Sequence, residues 1–395
     1  MRKLLLSLAV MAIIASNACK QEQINPEPAL TNQKTEVNQQ NTSAALVTNP
    51  TVTIGGNKFY VEGKEIFFNG INTAWQKQAD YTLDFLGRNF DRNWWINEFQ
   101  RYKDNRINLA RVWIHGAGEY SPSLNGGGVT TGASPQFWKD MDSLVAIATR
   151  KKIYIMPTLW SFDMVKDNHP KYNQYRQIIN DVNKTQWYTE YFLIPFVQRY
   201  ANSPYVMGYD ICNEPEHMWR DANCGNLSRN NVVRFVAWCA AAINQYTSKP
   251  VTLGSMWIIF NSNRFPGWDT NAGNNYSDAS LQTQYNNSNA KLDFYSPHWY
   301  QWQTSGGPFN TSIGYWLDNG NKPALIGETY GGNVTGSSSA NNITMENFYK
   351  NSYLNGYAGV CAWKNPREND GYGTFNGIIQ GTNAFYNAYP NLVYP

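Results

Sequence analysis

From residue 51 to its end, the chain alternates short apolar, β-prone runs with helical patterns, and that alternation limits its fold more than any other feature. Strands joined through helices pair in parallel, because the crossover needs a dozen residues or more. Eight such runs can be read: Ile71-Asn72-Thr73, Ile107 to Ile114, Ile153 to Leu159, Tyr205 to Glu214, Pro250 to Ser255, Leu292 to Ser296, Ala324 to Gly327 and Tyr357 to Trp363. Helical patterns lie between them at 91–105, from Ser134-Pro135 to Ala148, at 185–200 despite Pro195, from Asn230 to Tyr246 and from Met345 to Leu354. Ser134-Pro135 is a good N-cap and first-turn pair. The expected fold is an α/β chain closed into a (β/α)8 TIM barrel, preceded by a β-hairpin between Lys58 and Gly70. An open doubly wound sheet with a cofactor would need a Gly-rich phosphate turn after an early strand; none is present, and no cofactor is expected.

The amino terminus is a targeting segment. Arg2 and Lys3 precede an apolar stretch from Leu4 to Ile14, too short to span a bilayer as a mature helix. The following Ala15-Ser16-Asn17-Ala18-Cys19 resembles a bacterial lipobox, although Ser16 stands where Leu is commonest; the resemblance implies cleavage and lipidation at Cys19. Residues 1–18 are read as a signal peptide, 19–50, rich in Gln, Asn, Thr and Glu, as a flexible tether, and 51–395 as one catalytic domain. Nothing later is apolar enough to cross a bilayer, so membrane contact is expected only through the lipid. The localisation expected is an exported one, as an outer-membrane lipoprotein or a secreted protein of the periplasm or cell surface.

The net charge of +3 is too small to argue for nucleic acid or an anionic surface, and a monomer is expected. Aromatic residues make up 15% of the chain, and its 15 Trp exceed what packing usually needs. Indole faces suit the flat apolar faces of sugar rings, so the expected partner is a polysaccharide. In an exported chain, a local disulfide is expected between Cys224, in a loop, and Cys239, in the following helix, while Cys212 and Cys361 read as buried thiols. His115, His169, His217 and His298 are scattered without paired spacing, so no metal site is expected.

The chemistry is concentrated at two strand ends. Tyr209-Asp210-Ile211-Cys212-Asn213-Glu214-Pro215 is an apolar run stopped by a proline, which cannot donate to a ladder. Leu325-Ile326-Gly327-Glu328 is another, followed by Gly331-Gly332. Both glutamates then stand at the rim where barrel chemistry sits, and a pair of carboxyl groups is what hydrolysis of a glycosidic bond requires. Arg111, between Ala110 and Val112, is a cation inside a strand and needs a rim carboxylate as partner. His298 and Tyr300 after the sixth strand can share a proton with, or donate to, such carboxylates, and Asn213 can donate to a sugar hydroxyl. Aromatic loops at Trp299-Tyr300-Gln301-Trp302 and His217-Met218-Trp219-Arg220 point to an open cleft with several subsites.

These residues resemble glycoside hydrolase family 5 and, more broadly, the clan A glycosidases. The pattern is Arg111 on strand two, Asn213-Glu214-Pro215 on strand four, His298 and Tyr300 after strand six, Glu328 on strand seven and Trp363 on strand eight, covering residue 51 to the end. The resemblance implies a retaining double displacement with Glu214 as general acid/base and Glu328 as nucleophile. It also implies that Arg111 and Tyr300 hold Glu328 ionised and that Trp363 floors the subsite beside the cleaved bond. Trp75 is counted among the substrate-binding residues.

Many family members carry a His at the end of strand three; here that strand ends Pro157-Thr158-Leu159-Trp160-Ser161-Phe162-Asp163. The departure favours β-mannan or glucomannan over cellulose, and Asp163, Trp160 or His115 is expected to fill the vacancy. The expected activity is endo-acting cleavage of β-1,4-linked plant-type polysaccharide as a mannan endo-1,4-β-mannosidase, with an endo-β-1,4-glucanase of the same family as the alternative. A transglycosylase using the same residues and a non-catalytic surface glycan-binding lipoprotein are the other readings.

Overall fold

Eight short strands form one parallel sheet in the computed structural model of the protein, which describes residues 50–394 apart from 78–79, 304–306, 319–320, 335–341 and 367–369. The signal segment, Cys19 and the tether up to residue 49 lie outside the described residues. Barrel strands one to eight are Phe68–Asn72, Leu109–Trp113, Tyr154–Ser161, Tyr209–Asn213, Val251–Ser255, Ser296–Pro297, Leu325–Ile326 and Gly359–Ala362. Each pairs with the next from one to six, and eight lies between one and seven. The remaining seam, between six and seven, closes through a parallel bridge of Tyr295 with Ala324. There Tyr295 N donates to Pro323 O and Leu325 N to Tyr295 O, both at 2.9 Å, and Gly327 N donates to Pro297 O at 3.0 Å. The result is the (β/α)8 TIM barrel, with every strand edge paired.

The amino-terminal hairpin is part of a three-stranded antiparallel sheet, Val52–Gly55, Lys58–Val61 and Lys64–Ile66. Fully buried Phe59 packs edge-on against Phe68 at 5.2 Å and Phe294 at 5.1 Å, residues at the starts of strands one and six. The small sheet therefore covers the amino-terminal end of the barrel and leaves the carboxyl-end rim open.

Helix ends follow the local chemistry. Asp91 Oδ1 accepts from Trp94 N at 3.0 Å to start Arg92–Asp104, and Ser134 Oγ accepts from Phe137 N at 3.1 Å to start Pro135–Lys151. The pattern expected over 185–200 is interrupted as Pro195 requires: Val182–Tyr188 and Ile194–Tyr200 are α-helical, joined by a π-helical turn at Thr189–Leu193. Among the described residues no helix is long and apolar enough to cross a membrane.

The expected Cys224–Cys239 disulfide is not formed; Cys212, Cys224, Cys239 and Cys361 are all free and buried. The two thiols face different surroundings. Cys239, on the helix Arg229–Tyr246, lies near Cys212 and Tyr188, whereas Cys224 lies among Asp221, Lys166, Asp163 and Arg176. Closeness in sequence did not carry over because the helix turns Cys239 inward, toward the barrel.

Removing the Ser134 cap leaves Phe137 N without its acceptor. Ser134→Ala should lower unfolding free energy by about 1 kcal/mol, read as a shift in the denaturant midpoint at unchanged slope.

Candidate active site

Arg111 is completely buried on strand two, and its guanidinium organises the rim. Nε donates to Asp210 Oδ2 at 2.7 Å, Nη1 to Glu328 Oε1 at 2.8 Å and to Asn72 Oδ1 at 3.1 Å, and Nη2 to Asn213 Oδ1 at 3.0 Å. Strands one, two, four and seven are thereby joined through one cation. Asp210 is held in turn by Thr158 Oγ1 at 3.1 Å and by Gly254 N at 3.0 Å. The space for this network depends on Gly254: a Cβ there would fall 2.7 Å from His298 Nε2 and would strike the Arg111 guanidinium.

Glu328 accepts from Arg111 through one oxygen and from Tyr300 Oη, at 2.9 Å, through the other. Glu214 is held by imidazoles instead, with His298 Nδ1 2.8 Å from Oε1 and His217 Nε2 3.3 Å from Oε2. His298 Nδ1 is also 3.5 Å from Glu328 Oε2. Ligating atoms of Glu214, His298 and Glu328 all lie within 4.8 Å of one another. So close an approach fits retaining glycosidases, whose carboxyls stand roughly 5–5.5 Å apart, and not inverting ones, which need about 6.5–9.5 Å to admit a water.

Glu214 is placed by a strained backbone. Its N donates to Gly254 O at 2.6 Å, and its φ of 44° lies in the left-handed region that a residue before proline rarely enters. Glu216, fully buried, anchors the same turn to strand five by accepting from Ser255 Oγ at 2.9 Å and Met256 N at 3.0 Å. Such strain costs about 1–3 kcal/mol and persists where its surroundings over-determine it.

The electrostatics divide the two carboxyls. Burial raises Glu214, but hydrogen bonds from His217 and His298 outweigh it and leave the carboxyl below the usual carboxylate range. Burial raises Glu328, and the nearby Glu214 charge adds to this against the opposing pull of His298, Arg111 and Tyr300. Burial also pushes Tyr300 well above the ordinary phenol value, which keeps it an O–H donor to Glu328. His217 is lowered by burial, yet its bonds to Glu214 and to Asp221, 2.8 Å from Nδ1, raise it to about 9.

These groups line a cleft of about 560 Å³ shared with Trp75, Phe162, Asp163, Trp302, Trp363 and Tyr372. Trp363 is fixed by its Nε1 donating to Asp370 Oδ2 at 2.7 Å, and Lys364 pairs with the same carboxylate. Of the residues expected at the strand-three vacancy, only Asp163 lines the cleft, and Lys166 holds its carboxylate at 2.5 Å. Trp160 and His115 do not reach it. Trp160 packs against Tyr175, Tyr188 and Phe235 at 5.1–5.2 Å, and His115 bonds Tyr188 Oη at 3.1 Å and Ser121 Oγ at 2.8 Å. Both complete an apolar layer under the helices, where the large aromatics of strand three and its neighbours are buried.

Two residues that hold this cluster together were given no such place by the sequence reading. Asp210 was legible, since Arg111 inside one apolar strand calls for an acid inside another. His217 was noted only as part of an aromatic loop; its i+3 spacing from Glu214, across a turn opened by Pro215, was the available signal.

The His217 pairing has a definite pH signature. Because its value rises from 6.5 unfolded to about 9 folded, the stabilisation is complete below pH 6.5 and is lost as pH rises through 9. His217→Gln should be less stable than wild type by roughly 2 kcal/mol at the lower pH, with the gap in melting temperature closing above pH 9. A gap independent of pH would disprove the pairing.

Comparison with known proteins agrees with this geometry. The profile of the family described as Cellulase (glycosyl hydrolase family 5) matches residues 61–368. The mannan endo-1,4-beta-mannosidase of Mytilus edulis is 28% identical over 338 residues, spanning 79% of this chain and 87% of that protein. The enzyme of the same name from Cryptopygus antarcticus is 26% identical over 361 residues, spanning 83% and 88%. Among solved structures, the beta-1,4-mannanase of the sea hare Aplysia kurodai superposes with a TM-score of 0.72 at 25% identity, covering 87% of this chain and 99% of that one. The beta-mannanase of Mytilus edulis gives 0.71 at 24% identity, covering 86% and 96%. With its family profile spanning most of the chain and a paired-glutamate cleft at the barrel rim, the protein belongs to glycosyl hydrolase family 5 and is an O-glycosyl hydrolase.

Proposed function

We propose that the protein is a retaining, endo-acting mannan endo-1,4-β-mannosidase. The observation that carries the reading is the placement of Glu214 and Glu328, with ligating atoms within 4.8 Å and opposite sets of partners. Glu328, steadied by Arg111 and Tyr300, attacks the anomeric carbon as the bond to the departing oxygen breaks. The proton reaches that oxygen through Glu214. His217, raised to about 9 and so protonated at neutral pH, shares its proton with the carboxylate 3.3 Å away. As the proton is passed on to the departing oxygen, His217 is left neutral and Glu214 a carboxylate held by His298. Formation of the glycosyl ester removes the charge on Glu328. Glu214 then takes a proton from water as the water displaces Glu328 from the sugar, and the proton returns to His217, which restores the starting pair.

Asn213 supports the oxocarbenium-like state. Its Oδ1 is occupied by Arg111, its amide nitrogen carries no hydrogen bond among the described residues, and the residue lines the cleft. A hydrogen bond to a sugar hydroxyl beside the reacting carbon would strengthen as charge develops. Mannan as the polymer is supported by the names of the relatives and by the aromatic cleft without a histidine on strand three. The cleft, shared by loops from opposite sides of the rim, suits internal cleavage of a long chain. Export as a Cys19-anchored or secreted protein fits a polymer substrate, and metabolic labelling with a radioactive fatty acid, compared with Cys19→Ala, tests the anchor.

Glu328→Gln should abolish release of soluble oligosaccharides from β-mannan while far-UV circular dichroism is unchanged. Near-normal turnover would remove it from the nucleophile's role. Glu214→Ala should lose roughly 10²–10⁴-fold in kcat. With a substrate whose leaving group needs no proton, added azide should restore turnover to Glu214→Ala alone, because azide needs no general base. On a panel of β-mannan, glucomannan, cellulose and xylan, faster release from cellulose than from mannan would turn the assignment to a glucanase.

A further inference from the structure

Charge is divided between the two ends of the barrel, although its net value is only +3. The cleft at the carboxyl-end rim is lined by Asp80, Asp163, Glu214, Glu328 and Asp370. At the amino-terminal end, a cavity of about 160 Å³ opens among Lys103, Arg106 and Lys152, and no carboxylate among the described residues lines it. Tyr394, in the same lining, donates through Oη to Lys64 O at 2.8 Å and so carries the surface on to the hairpin. Lys64, Lys103, Arg106 and Lys152 are all exposed. Of the acids nearby, Glu65 is paired with Lys58 at 3.0 Å, and Asp104 accepts from Gln100 Nε2 at 2.8 Å. Glu62 is the third, and its charge acts on Tyr154 and Tyr394. An excess of cations remains.

Two adjacent helices bring these cations together. Arg92–Asp104 carries Arg101 and Lys103 in its last turn, and Pro135–Lys151 carries Arg150 and Lys151, as the negative helix ends favour. Lys151 Nζ joins the two ends by donating to Gln100 Oε1 at 2.8 Å. Arg106 and Lys152 stand just beyond them with φ of 62° and 60°, a left-handed conformation that glycine takes most readily. The dipole acts within the last turn, so it accounts for the four helical cations but not for Arg106, which lies past its helix. The Arg106 guanidinium is held over the Tyr386 ring, 4.4 Å from its centroid.

The chain before residue 50 joins the domain on this same face, where Pro50 O accepts from Tyr154 Oη at 2.8 Å and Tyr154 opens strand three. We propose that this end of the barrel docks on an anionic lipid surface, with headgroup phosphates against Lys103, Arg106 and Lys152. Connectivity and charge both select that occupant. The inference rests on the reading that Cys19 carries lipid, which would tie this face and not the rim to a bilayer. The 30 residues between Cys19 and Pro50 reach at most about 100 Å, so the anchor alone leaves the orientation of the barrel open. Charge sets it: the basic end is drawn to the lipid and the acidic rim is repelled, each over a Debye length of about 8–10 Å. The cleft is thereby turned outward, toward polymer.

The test uses residues 20–395, an unlipidated form that keeps every residue of the described fold, so that binding is read without the anchor. It should sediment with vesicles of phosphatidylcholine and phosphatidylglycerol, only weakly with phosphatidylcholine alone, and come off as salt rises. Lys103→Gln/Arg106→Gln/Lys152→Gln should lower partitioning roughly 100-fold, about fivefold per cation, with melting temperature and β-mannan hydrolysis unchanged. Arg88→Gln/Lys139→Gln/Lys184→Gln removes the same charge toward the rim and should change partitioning by less than about twofold. Vesicle-bound wild type should cleave galactomannan at the rate of the free enzyme. Equal binding by wild type and the first triple variant, an equal loss in the second, or loss of activity on the vesicles would overturn the proposal. Should the first triple variant not fold, Lys103→Gln alone carries the test, with a loss of about fivefold. Fatty-acid labelling at Cys19 reads the anchor separately, so failure of the anchor is distinguishable from failure of the docking.

Discussion

The structure depends first on a buried cation. Arg111 sits wholly out of water, and a guanidinium in that setting is tolerated only when its donors are met by anions and carbonyl oxygens. Asp210 and Glu328 supply the charge, Asn72 and Asn213 the rest. Removing one partner from such a network typically costs about 3–5 kcal/mol, because the other charge is left buried and unpaired. The consequence reaches beyond the pair. Asn72 Nδ2 also donates to Gly327 O and Cys361 O, each at 2.9 Å, so the arrangement around Arg111 fixes strands one, seven and eight relative to one another. The catalytic geometry and the closure of the barrel rim thus rest on the same contacts.

A second constraint lies on the other carboxyl. Glu214 is held in a left-handed conformation by a bond to strand five on one side and by the buried Glu216 anchor on the other. An unstrained residue would leave the strand extended and carry its side chain elsewhere. Here the turn delivers the carboxyl to the same small volume as Glu328 and sets His217, one helical turn on, against it. Stability is lost locally so that two carboxyls from strands three places apart meet in one cleft.

Much of this was legible in the sequence, for reasons that differ by element. Strands two to five are apolar runs bounded by clear stops, and Met345–Leu354 and the cap at Ser134 coincide with their sequence signals. Strands six and seven shrink to Ser296–Pro297 and Leu325–Ile326, since Pro297 and Pro323 lack the N–H that longer ladders need. Two helices left almost no trace. Tyr172–Asn180 has no side-chain cap, and Phe375–Ala388 contains Gly377 and Gly381, which read as breakers. Gly381 is there for packing: a Cβ would lie 2.6 Å from the Tyr349 ring on the neighbouring helix. Tertiary contact outweighed propensity there, and the local signal was the cap alone, Thr374 Oγ1 accepting from Gly377 N at 3.1 Å.

At the rim beside strand three, one loop supplies the imidazole that its neighbour lacks. The end of that strand carries Phe162 and Asp163 at the cleft instead of a histidine. An imidazole still stands there, but it comes from the loop after strand four. The ring of His217 stacks on Phe162 at 4.3 Å with an angle of 31° between planes, while Asp221 orients its other nitrogen. The aromatic just past strand three therefore acts as a rest for an imidazole delivered from the loop after the next strand. Because that imidazole sits directly on Glu214, changing the rim at strand three also changes the proton affinity of Glu214. A barrel rim allows this because adjacent strand ends are close enough for one loop to supply what its neighbour lacks.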